Sequence, residues 1–289
     1  MKPEKLTQLV ALLLVAACAT PELGPRRTTL PTDGAAVLPS RHVRGAFLLF
    51  AEFPGLAGRH VLLLDTGTDK TLLDLQFGRS LGLRSLGDEP VVTATGTAVP
   101  GVQFERLPAL RLGEVEFQDV DAIGLDLSLL REHGGLPIAG IAGCDLFRQC
   151  LLEIDYQNHS VRCLPRSAAP TGPAHQFDER SPWVTVDLAG TAVRMLVDTG
   201  FQQSVALPPG TDVPFTGKPR AYGEIASIAG TQPKEIAHLA GVLRLGNLTW
   251  REPSILLVPG CPKIGARLLR DTLLRLDSSG GRLWLERSR

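Results

Sequence analysis

Val61-Leu62-Leu63-Leu64-Asp65-Thr66-Gly67 is an apolar run that ends in Asp-Thr-Gly, and Met195-Leu196-Val197-Asp198-Thr199-Gly200 repeats the pattern. From average residue usage, a single Asp-Thr-Gly occurs by chance in roughly 0.05 of chains of this length. Two copies after matching apolar runs are therefore not accidental. Because the first run is apolar without alternation, it predicts a strand buried on both faces. Each aspartate is thus expected at the end of a buried strand, at the edge of its domain.

The similarity extends well beyond these two stretches. Residues 110–117 recur as 243–250, a separation of 133 residues that equals the separation of Asp65 from Asp198. Thr95-Gly96-Thr97 likewise corresponds to Ala229-Gly230-Thr231, and residues 142–155 correspond to 264–277. The second copy is shorter only around residues 127–137. Since internal repeats of this kind indicate duplicated units, the sequence predicts two homologous domains that contribute one aspartate each.

Composition narrows the classes of fold and partner. The 289 residues are enough for two domains of ordinary size, and the formal net charge is zero without any run of Lys and Arg. Nucleic acid is therefore not an expected partner. With 30 Gly and 22 Pro, the chain is rich in turns. No segment repeats a β-α-β pattern, so we predict an all-β protein.

The N-terminus has the features of an export signal. Lys2 and Lys5 precede an apolar segment at residues 9–15, which is too short to span a bilayer as a permanent helix, and small residues follow. Val15-Ala16-Ala17-Cys18 also resembles the bacterial lipoprotein box, in which the cysteine becomes the lipidated first residue. By that resemblance, and because Ala19 follows, we expect an outer-membrane anchor facing the periplasm. Ordinary signal cleavage beside an incidental cysteine is the alternative.

These features give a predicted domain order. Residues 1–17 form the signal peptide, residues 18–40 a flexible tether rich in Pro, Thr and Arg, and residues 41–164 the first domain. A second stretch rich in Pro and Gly, residues 165–181, is the predicted linker, and residues 182–289 form the second domain.

Within each copy we expect an opening hairpin whose second strand ends at the aspartate. A short helix ending near Gly82 is predicted only in the first copy, because the second has Pro208-Pro209-Gly210 there. Gly143 and Gly265 are each expected to start a short helical segment, and a closing hairpin follows in both copies.

Cysteines and histidines give weaker signals. Four cysteines remain after Cys18, and four allow three full pairings. We favour a bond between Cys150 and Cys163, which flank one predicted hairpin, and buried free thiols at Cys144, Cys150, Cys163 and Cys261 stay open as an alternative. The six histidines show no ligand spacing. Neither a metal nor a cofactor is therefore expected.

The Asp-Thr-Gly strands, the glycines downstream of them and the glycine-led helices followed by closing hairpins together resemble the retropepsin-type aspartic proteases. The resemblance covers both copies, from about residue 41 onward. It implies two acid-protease-type β-barrel lobes in one chain, related by pseudo-two-fold symmetry, with an active-site cleft between them. It also implies an endopeptidase that acts on a peptide or protein substrate, with Asp65 and Asp198 as its dyad.

The residue types suit that chemistry. Two carboxylates about 3 Å apart share one proton, so that one activates a water and the other protonates the peptide carbonyl. By resemblance, the Thr66 and Thr199 hydroxyls cross-link the two loops. Gly67 and Gly200 allow the backbones a close approach. By resemblance again, two flaps would cover the substrate, with their tips at Gly96 and Gly230.

Three observations temper this interpretation. In the second copy, Phe201 follows Asp-Thr-Gly where the family favours a small residue, and Lys263 stands where it favours an apolar one. A catalytically silent two-lobed module that binds peptides is therefore an alternative. Gly78-Arg79-Ser80-Leu81-Gly82 also fits the Gly-x-Ser-x-Gly pattern of serine hydrolases, although a helix end capped by Gly82 is the simpler interpretation. Because both copies lie on one chain, we expect a monomer.

Overall fold

The computed structural model describes residues 24–32, 34–93, 95–135, 137–177 and 180–288, without the side chains of residues 133 and 134. Most of this part of the chain is β-strand, as an all-β fold requires. None of the helices in it is long and apolar enough for a membrane crossing. We refer to residues 24–164 as the N-terminal half and to residues 182–288 as the C-terminal half.

The described residues of the N-terminal half form sixteen strands, two short α-helices and one 3-10 helix. Its elements are β1 (Arg27–Thr29), β2 (Ala36–Val37), β3 (Ser40–Val43), β4 (Ala46–Ala51), β5 (His60–Leu64), β6 (Leu72–Asp74), α1 (Leu75–Ser80), β7 (Ser85–Asp88), β8 (Val91–Val92), β9 (Ala98–Val99), β10 (Gly101–Phe104), β11 (Leu107–Leu112), β12 (Val115–Val120), β13 (Ile123–Leu125), α2 (Ser128–Gly134), β14 (Ile138–Ala142), the 3-10 helix Cys144–Phe147, β15 (Leu151–Asp155) and β16 (Ser160–Leu164).

The remaining elements follow from residue 165 onward. They are the 3-10 helix Arg166–Ala168, β17 (His175–Gln176), β18 (Trp183–Leu188), β19 (Thr191–Asp198), β20 (Val205–Leu207), β21 (Arg220–Ser227), β22 (Gly230–His238), β23 (Val242–Leu245), β24 (Leu248–Arg251), β25 (Ser254–Leu257), β26 (Lys263–Gly265), α3 (Ala266–Leu269), β27 (Thr272–Asp277) and β28 (Arg282–Arg287).

One order of strands occurs in both halves. An eight-stranded sheet contains β4-β5-β14-β6-β13-β10-β7, and a nine-stranded sheet contains β18-β19-β26-β20-β25-β22-β21. In each sheet, the strand that leads to Gly143 or Gly265 runs parallel to the strand that leads to the aspartate. Thus β14 pairs with β5, and β26 pairs with β19. The same strand is antiparallel to β6 or to β20. The strand that leads to each aspartate thus lies between two neighbouring strands, β4 and β14 for β5, and β18 and β26 for β19.

Local sequence accounts for the predicted elements in both halves. β4 and β5 form the first opening hairpin, and β18 and β19 form the second. Gly143 and Gly265 are the N-cap residues of the 3-10 helix Cys144–Phe147 and of α3. Helix α1 has no counterpart after β20, where the prolines prevent it.

The structure differs from the predicted tether over its described part. β1 pairs with β12, and β2 pairs with β16, so residues 27–29 and 36–37 are strands of the N-terminal half. The Gln149 side-chain amide also donates hydrogen bonds to the carbonyls of Pro25 and Arg26. The free edges of β12 and β16 have unpaired backbone groups, and this segment satisfies them. A polar composition therefore did not mean a flexible chain here.

The two halves also share a core. A six-stranded sheet of order β17-β28-β27-β15-β16-β2 contains strands from both, with β15 antiparallel to β27. The predicted linker takes part, because β17 pairs with β28 and Arg166 contacts the buried carboxylate of Asp277. The largest apolar cluster accordingly includes Phe47 and Leu152 together with Val186 and Leu274. The two predicted domains therefore share one large apolar cluster.

Candidate active site

The two Asp-Thr-Gly loops face each other in the interior. Asp65 follows the last residue of β5, Asp198 is the last residue of β19, and both side chains are 0% exposed. The two carboxyl groups are close enough for Asp198 to raise the pKa of Asp65. The structure therefore brings together two aspartates that are 133 residues apart in the sequence.

The two threonines bind the loops to each other with four reciprocal hydrogen bonds. The Thr66 hydroxyl donates to the Val197 carbonyl at 2.7 Å, and the Thr199 hydroxyl donates to the Leu64 carbonyl at 3.1 Å. The backbone N–H of Thr66 donates to Thr199 Oγ1 at 3.0 Å, and the N–H of Thr199 donates to Thr66 Oγ1 at 3.2 Å. Because every donor and acceptor in this buried set is paired, the relative position of the loops is rigid.

The glycines of the loops leave room for the opposite carboxylate. A Cβ on Gly67 would lie 2.6 Å from Asp198 Cγ, and a Cβ on Gly200 would lie 2.5 Å from Asp65 Cγ. Real Cβ atoms do not approach other atoms so closely. Any larger residue would therefore push the two carboxyl groups apart.

Backbone donors orient the inner carboxyl oxygens. The N–H of Gly67 donates to Asp65 Oδ1 at 2.8 Å, and the N–H of Phe201 donates to Asp198 Oδ1 at 2.9 Å. Asp65 Oδ2 is buried, and among the described residues no N–H or O–H donates to it. Burial raises the pKa of Asp65 well above its usual range, and the neighbouring Asp198 raises it further. A proton on the Asp65 carboxyl avoids an unpaired buried charge at Oδ2 and removes the repulsion between the two carboxylates.

A buried lysine lies against the second aspartate. Lys263 Nζ is 3.0 Å from Asp198 Oδ2, and the two side chains are 1% and 0% exposed. Burial, the largest single influence, would lower the pKa of Lys263, but Asp198 together with the neighbouring Cys261 and Asp65 raises it above its usual value. The sequence identified Lys263 only as an unusual residue. Its ion pair was not predictable without the register of β26 on β19, which sets Lys263 beside Leu196.

These contacts, an all-β fold and a pair of Asp-Thr-Gly loops invite comparison with known families. Residues 55–146 match the aspartyl protease family. The matched stretch includes Asp65 and extends from before β5 into the 3-10 helix Cys144–Phe147, whereas Asp198 lies outside it. It therefore supports a peptidase-type hydrolase in general terms. A comparison of the chain with curated proteins gives no match.

Two further acids lie behind the first loop. Burial raises the pKa of Asp69 to about 6 and that of Asp145 to about 7. Asp145 Oδ1 accepts hydrogen bonds from the Thr71 hydroxyl at 2.7 Å and from the N–H of Leu146 at 2.8 Å. Sequence reasoning missed both acids. One signal was available: Thr71, whose hydroxyl donates to Asp145, and Ser204 follow Asp-Thr-Gly at the same distance in the two copies.

The predicted flap glycines lie at the turns of two hairpins whose strands differ in length. Gly96 is in the turn between β8 and β9, which have two residues each, and Gly230 follows the turn between β21 and β22, which have eight and nine. Both glycines have positive φ, 79° and 112°. Whether the hairpins act as flaps stays a prediction.

The longer hairpin crosses to the other half of the molecule. Ile228, at its turn, is 8% exposed and packs in a cluster whose other buried members all belong to the N-terminal half, including Leu127 and Leu130. These leucines lie in and next to α2, a segment for which the second sequence copy has no counterpart. The turn of the β21–β22 hairpin therefore packs against the N-terminal half.

The other candidate residues are placed apart from this site. Ser80 is the last residue of α1, and its hydroxyl donates to the Phe77 carbonyl at 2.7 Å. A helix end of this kind lacks the strand that a serine-hydrolase turn requires. The Cys150 thiol lies 3.1 Å from Cys163 Sγ, and both are free thiols, as are Cys144 and Cys261. The favoured bond is therefore not present between these two neighbours.

Some predictions fall outside the described residues. They are the signal peptide at residues 1–17, the lipidation site Cys18 and the first part of the tether. Within the described ranges, no group of three or more His, Cys, Asp and Glu residues is arranged to hold a metal ion.

Proposed function

We propose that the protein is an aspartic endopeptidase that hydrolyses peptide bonds with a dyad of Asp65 and Asp198 and an activated water. The observation that carries the proposal is the reciprocal arrangement of the two Asp-Thr-Gly loops, with both carboxyl groups buried side by side. The family match over residues 55–146 supports it for the first loop. Similarity of strand order supports it for the second.

The dyad would act through one proton. The carboxylate takes a proton from water while the water oxygen attacks the peptide carbonyl carbon, and the protonated aspartate gives its proton to the carbonyl oxygen. The resulting diol then loses a proton to one aspartate, the other protonates the leaving nitrogen, and the C–N bond breaks. The dyad returns to its starting charge, and no cofactor takes part.

We propose further that the two halves are homologous lobes related by a pseudo-two-fold axis through the dyad. The repeated order of seven strands supports this symmetry. So do the matched hydrogen bonds of Thr66 and Thr199. In this arrangement one chain supplies a complete dyad, so the active protein is a monomer and needs no second copy.

Substrate entry would require a movement of the β21–β22 hairpin. Asp65 and Asp198 are 0% exposed, and in this proposal the β21–β22 hairpin is the segment that lifts to admit a peptide. An extended peptide could then pair its backbone with the hairpin, in the way that strands add to a free sheet edge. Closure would exclude bulk water from the reaction.

We also propose that the mature protein is held in the bacterial envelope by acyl chains on Cys18, anchored in the outer membrane and facing the periplasm. The lipoprotein-like sequence at residues 15–18 supports this proposal. Replacing Cys18 with Ser should move the protein from the detergent phase to the aqueous phase, because acyl chains supply most of the membrane affinity. Unchanged partitioning of the variant would exclude the anchor.

The test of the hydrolase is a pair of variants measured on a mixed peptide library. Asp65→Asn and Asp198→Asn should each lower kcat/KM by about 10³-fold or more, because either change removes half of one acid-base unit. Asp212→Asn, at an exposed position, is the matched control and should keep normal activity. Full activity in either dyad variant would disprove the shared dyad. Peptide binding without cleavage by the unaltered protein would instead favour a catalytically silent peptide-binding module. Phe201 and Lys263, which depart from the family pattern, are the observations that favour this alternative.

A further inference from the structure

The Lys263 ammonium is a fixed positive charge within the dyad. It lies 3.0 Å from Asp198 Oδ2 and 5.8 Å from the centre of the Phe201 ring. Lys263 pairs with Leu196 on β19 as Ile141 pairs with Leu63 on β5, so the two residues hold the same place in their sheets. Ile141 is buried among apolar side chains. Among the described residues, the position behind Asp198 thus holds a cation, whereas the matching position behind Asp65 holds an apolar side chain.

The other groups that face the lysine and the dyad are neutral near pH 7. Burial raises the pKa of Cys261, which adjoins Lys263, and also the pKa values of Tyr156 and Cys144, which face the aspartates. All three therefore keep their protons. The charges that act most strongly on Asp65 are then those of Asp198 and Lys263, whereas Asp69 and Asp145 lie further back.

We infer, on the basis of the function proposed above, that Lys263 is a positioning residue that gives the two aspartates different roles. It holds Asp198 as the carboxylate that activates water, and the proton stays on Asp65. A cation within about 4 Å favours the charged form of a carboxyl group. Of two carboxyls that share one proton, the one beside the ammonium therefore stays ionised. The raised pKa of Asp65 agrees with this assignment.

The assignment fixes each proton transfer. Asp198 removes a proton from the attacking water, and Asp65 protonates the carbonyl oxygen of the substrate. In the second step Asp198 passes its proton to the leaving nitrogen, Asp65 recovers a proton from the diol, and the C–N bond breaks. Lys263 keeps its three protons throughout, so it acts through Asp198 and does not exchange protons with the substrate.

The first test compares pH–rate profiles of Lys263→Met and Ile141→Met, which place the same side chain at matching positions of the two sheets. In Lys263→Met, the acid limb of kcat/KM should move to higher pH by about 1 to 3 units, because Asp198 loses the charge that favours its ionised form. The limb should not move in Ile141→Met. A uniform loss of rate without a shift, or a gain of activity at every pH, would overturn the inference.

The second test needs neither activity nor a Lys263 variant. Infrared spectra of protein with ¹³C-labelled aspartate carboxyls distinguish a protonated carboxyl from a carboxylate. Near neutral pH, Asp65→Asn should remove a protonated-carboxyl band that the Asp212→Asn control retains. Persistence of that band in Asp65→Asn would overturn the assignment even if the protein hydrolyses peptides. Loss of the band together with no hydrolysis would support the assignment and reject the proposed function.

Discussion

Ile141 and Lys263 occupy the same place behind the two aspartates, yet one belongs to an apolar cluster and the other to a buried ion pair. The backbones around them are alike: both strands run parallel to the strand that leads to Asp-Thr-Gly. The N-terminal half has its extra ionisable groups further back, at Asp69 and Asp145, where burial favours the neutral form. Strand pairing therefore fixes the geometry of the site, and single side chains fix its charge.

The largest expected effect of this difference is on stability. Asp198→Asn leaves the Lys263 ammonium buried without its counter-ion, and breaking a buried pair in this way costs about 3 to 5 kcal/mol. Asp65→Asn removes no counter-ion and replaces a carboxyl group that is already neutral, so it should cost far less. Urea unfolding near neutral pH measures both free energies.

The double variant Asp198→Asn/Lys263→Met is the control for that comparison. It removes both charges, so it should regain most of the stability that Asp198→Asn loses. Equal losses in Asp65→Asn and Asp198→Asn would mean that the two halves are electrostatically equivalent after all.

The second prediction concerns the pH dependence of stability in the N-terminal half. Burial raises the pKa of Asp145 from 3.8 to about 7, so the folded state favours the protonated carboxyl. Its contribution to stability is fully present below the unfolded pKa and is lost as pH rises through the folded one. Between about pH 4 and pH 8 the loss amounts to at most about 4 kcal/mol.

Asp145→Asn should abolish this part of the pH dependence, as measured by urea unfolding at both pH values. Arg267→Gln is the matched control, because Arg267 is the exposed residue at the same position after Gly265. A pH dependence that is the same in Asp145→Asn and in the unaltered protein would show that Asp145 ionises freely when folded.

The third prediction tests the unequal hairpins. Ile228→Ala removes a buried side chain from the contact between the β21–β22 hairpin and the N-terminal half, at a cost of about 2 kcal/mol to the closed state. Backbone amides of residues 225–232 should then exchange with solvent roughly 30-fold faster. The short β8–β9 hairpin makes a convenient internal reference. Unchanged exchange in residues 225–232 would mean that Ile228 does not hold the hairpin closed.

The smallest expected effect is none at all. If one chain supplies both aspartates, specific activity should stay constant when the enzyme is diluted to nanomolar concentration, and light scattering should give a monomer. Activity that declines with dilution would show that the dyad forms between chains.

The sequence predicted the elements that depend on local pattern. Unbroken apolar runs before Asp65 and Asp198 gave two buried strands, and Gly143 and Gly265 gave the starts of two short helices. Pro208 and Pro209 correctly excluded a second copy of α1. Such features follow from side-chain polarity and backbone geometry within a few residues, so a single chain is enough to find them.

Features that depend on distant partners were not predictable. The partner of Lys263 is set by the register of β26 on β19, and the neutral state of Asp145 is set by everything that buries it. Residues 27–29 have the composition of a tether but become a strand, because β12 has a free edge beside them. In each case the deciding contact joins segments far apart in the sequence.

The sheet that joins β15 to β27 has a consequence for how the protein is made. Leu152 pairs with Leu276, which leaves the ribosome roughly 6 to 25 seconds later at ordinary rates of synthesis. Until then one edge of β15 is unpaired in a nascent chain, although β16 already covers the other. We expect ribosome-bound chains that end near residue 164 to be held by chaperones or to aggregate, and chains long enough to expose β27 to be protected from protease. Arrested chains of graded length would locate that change.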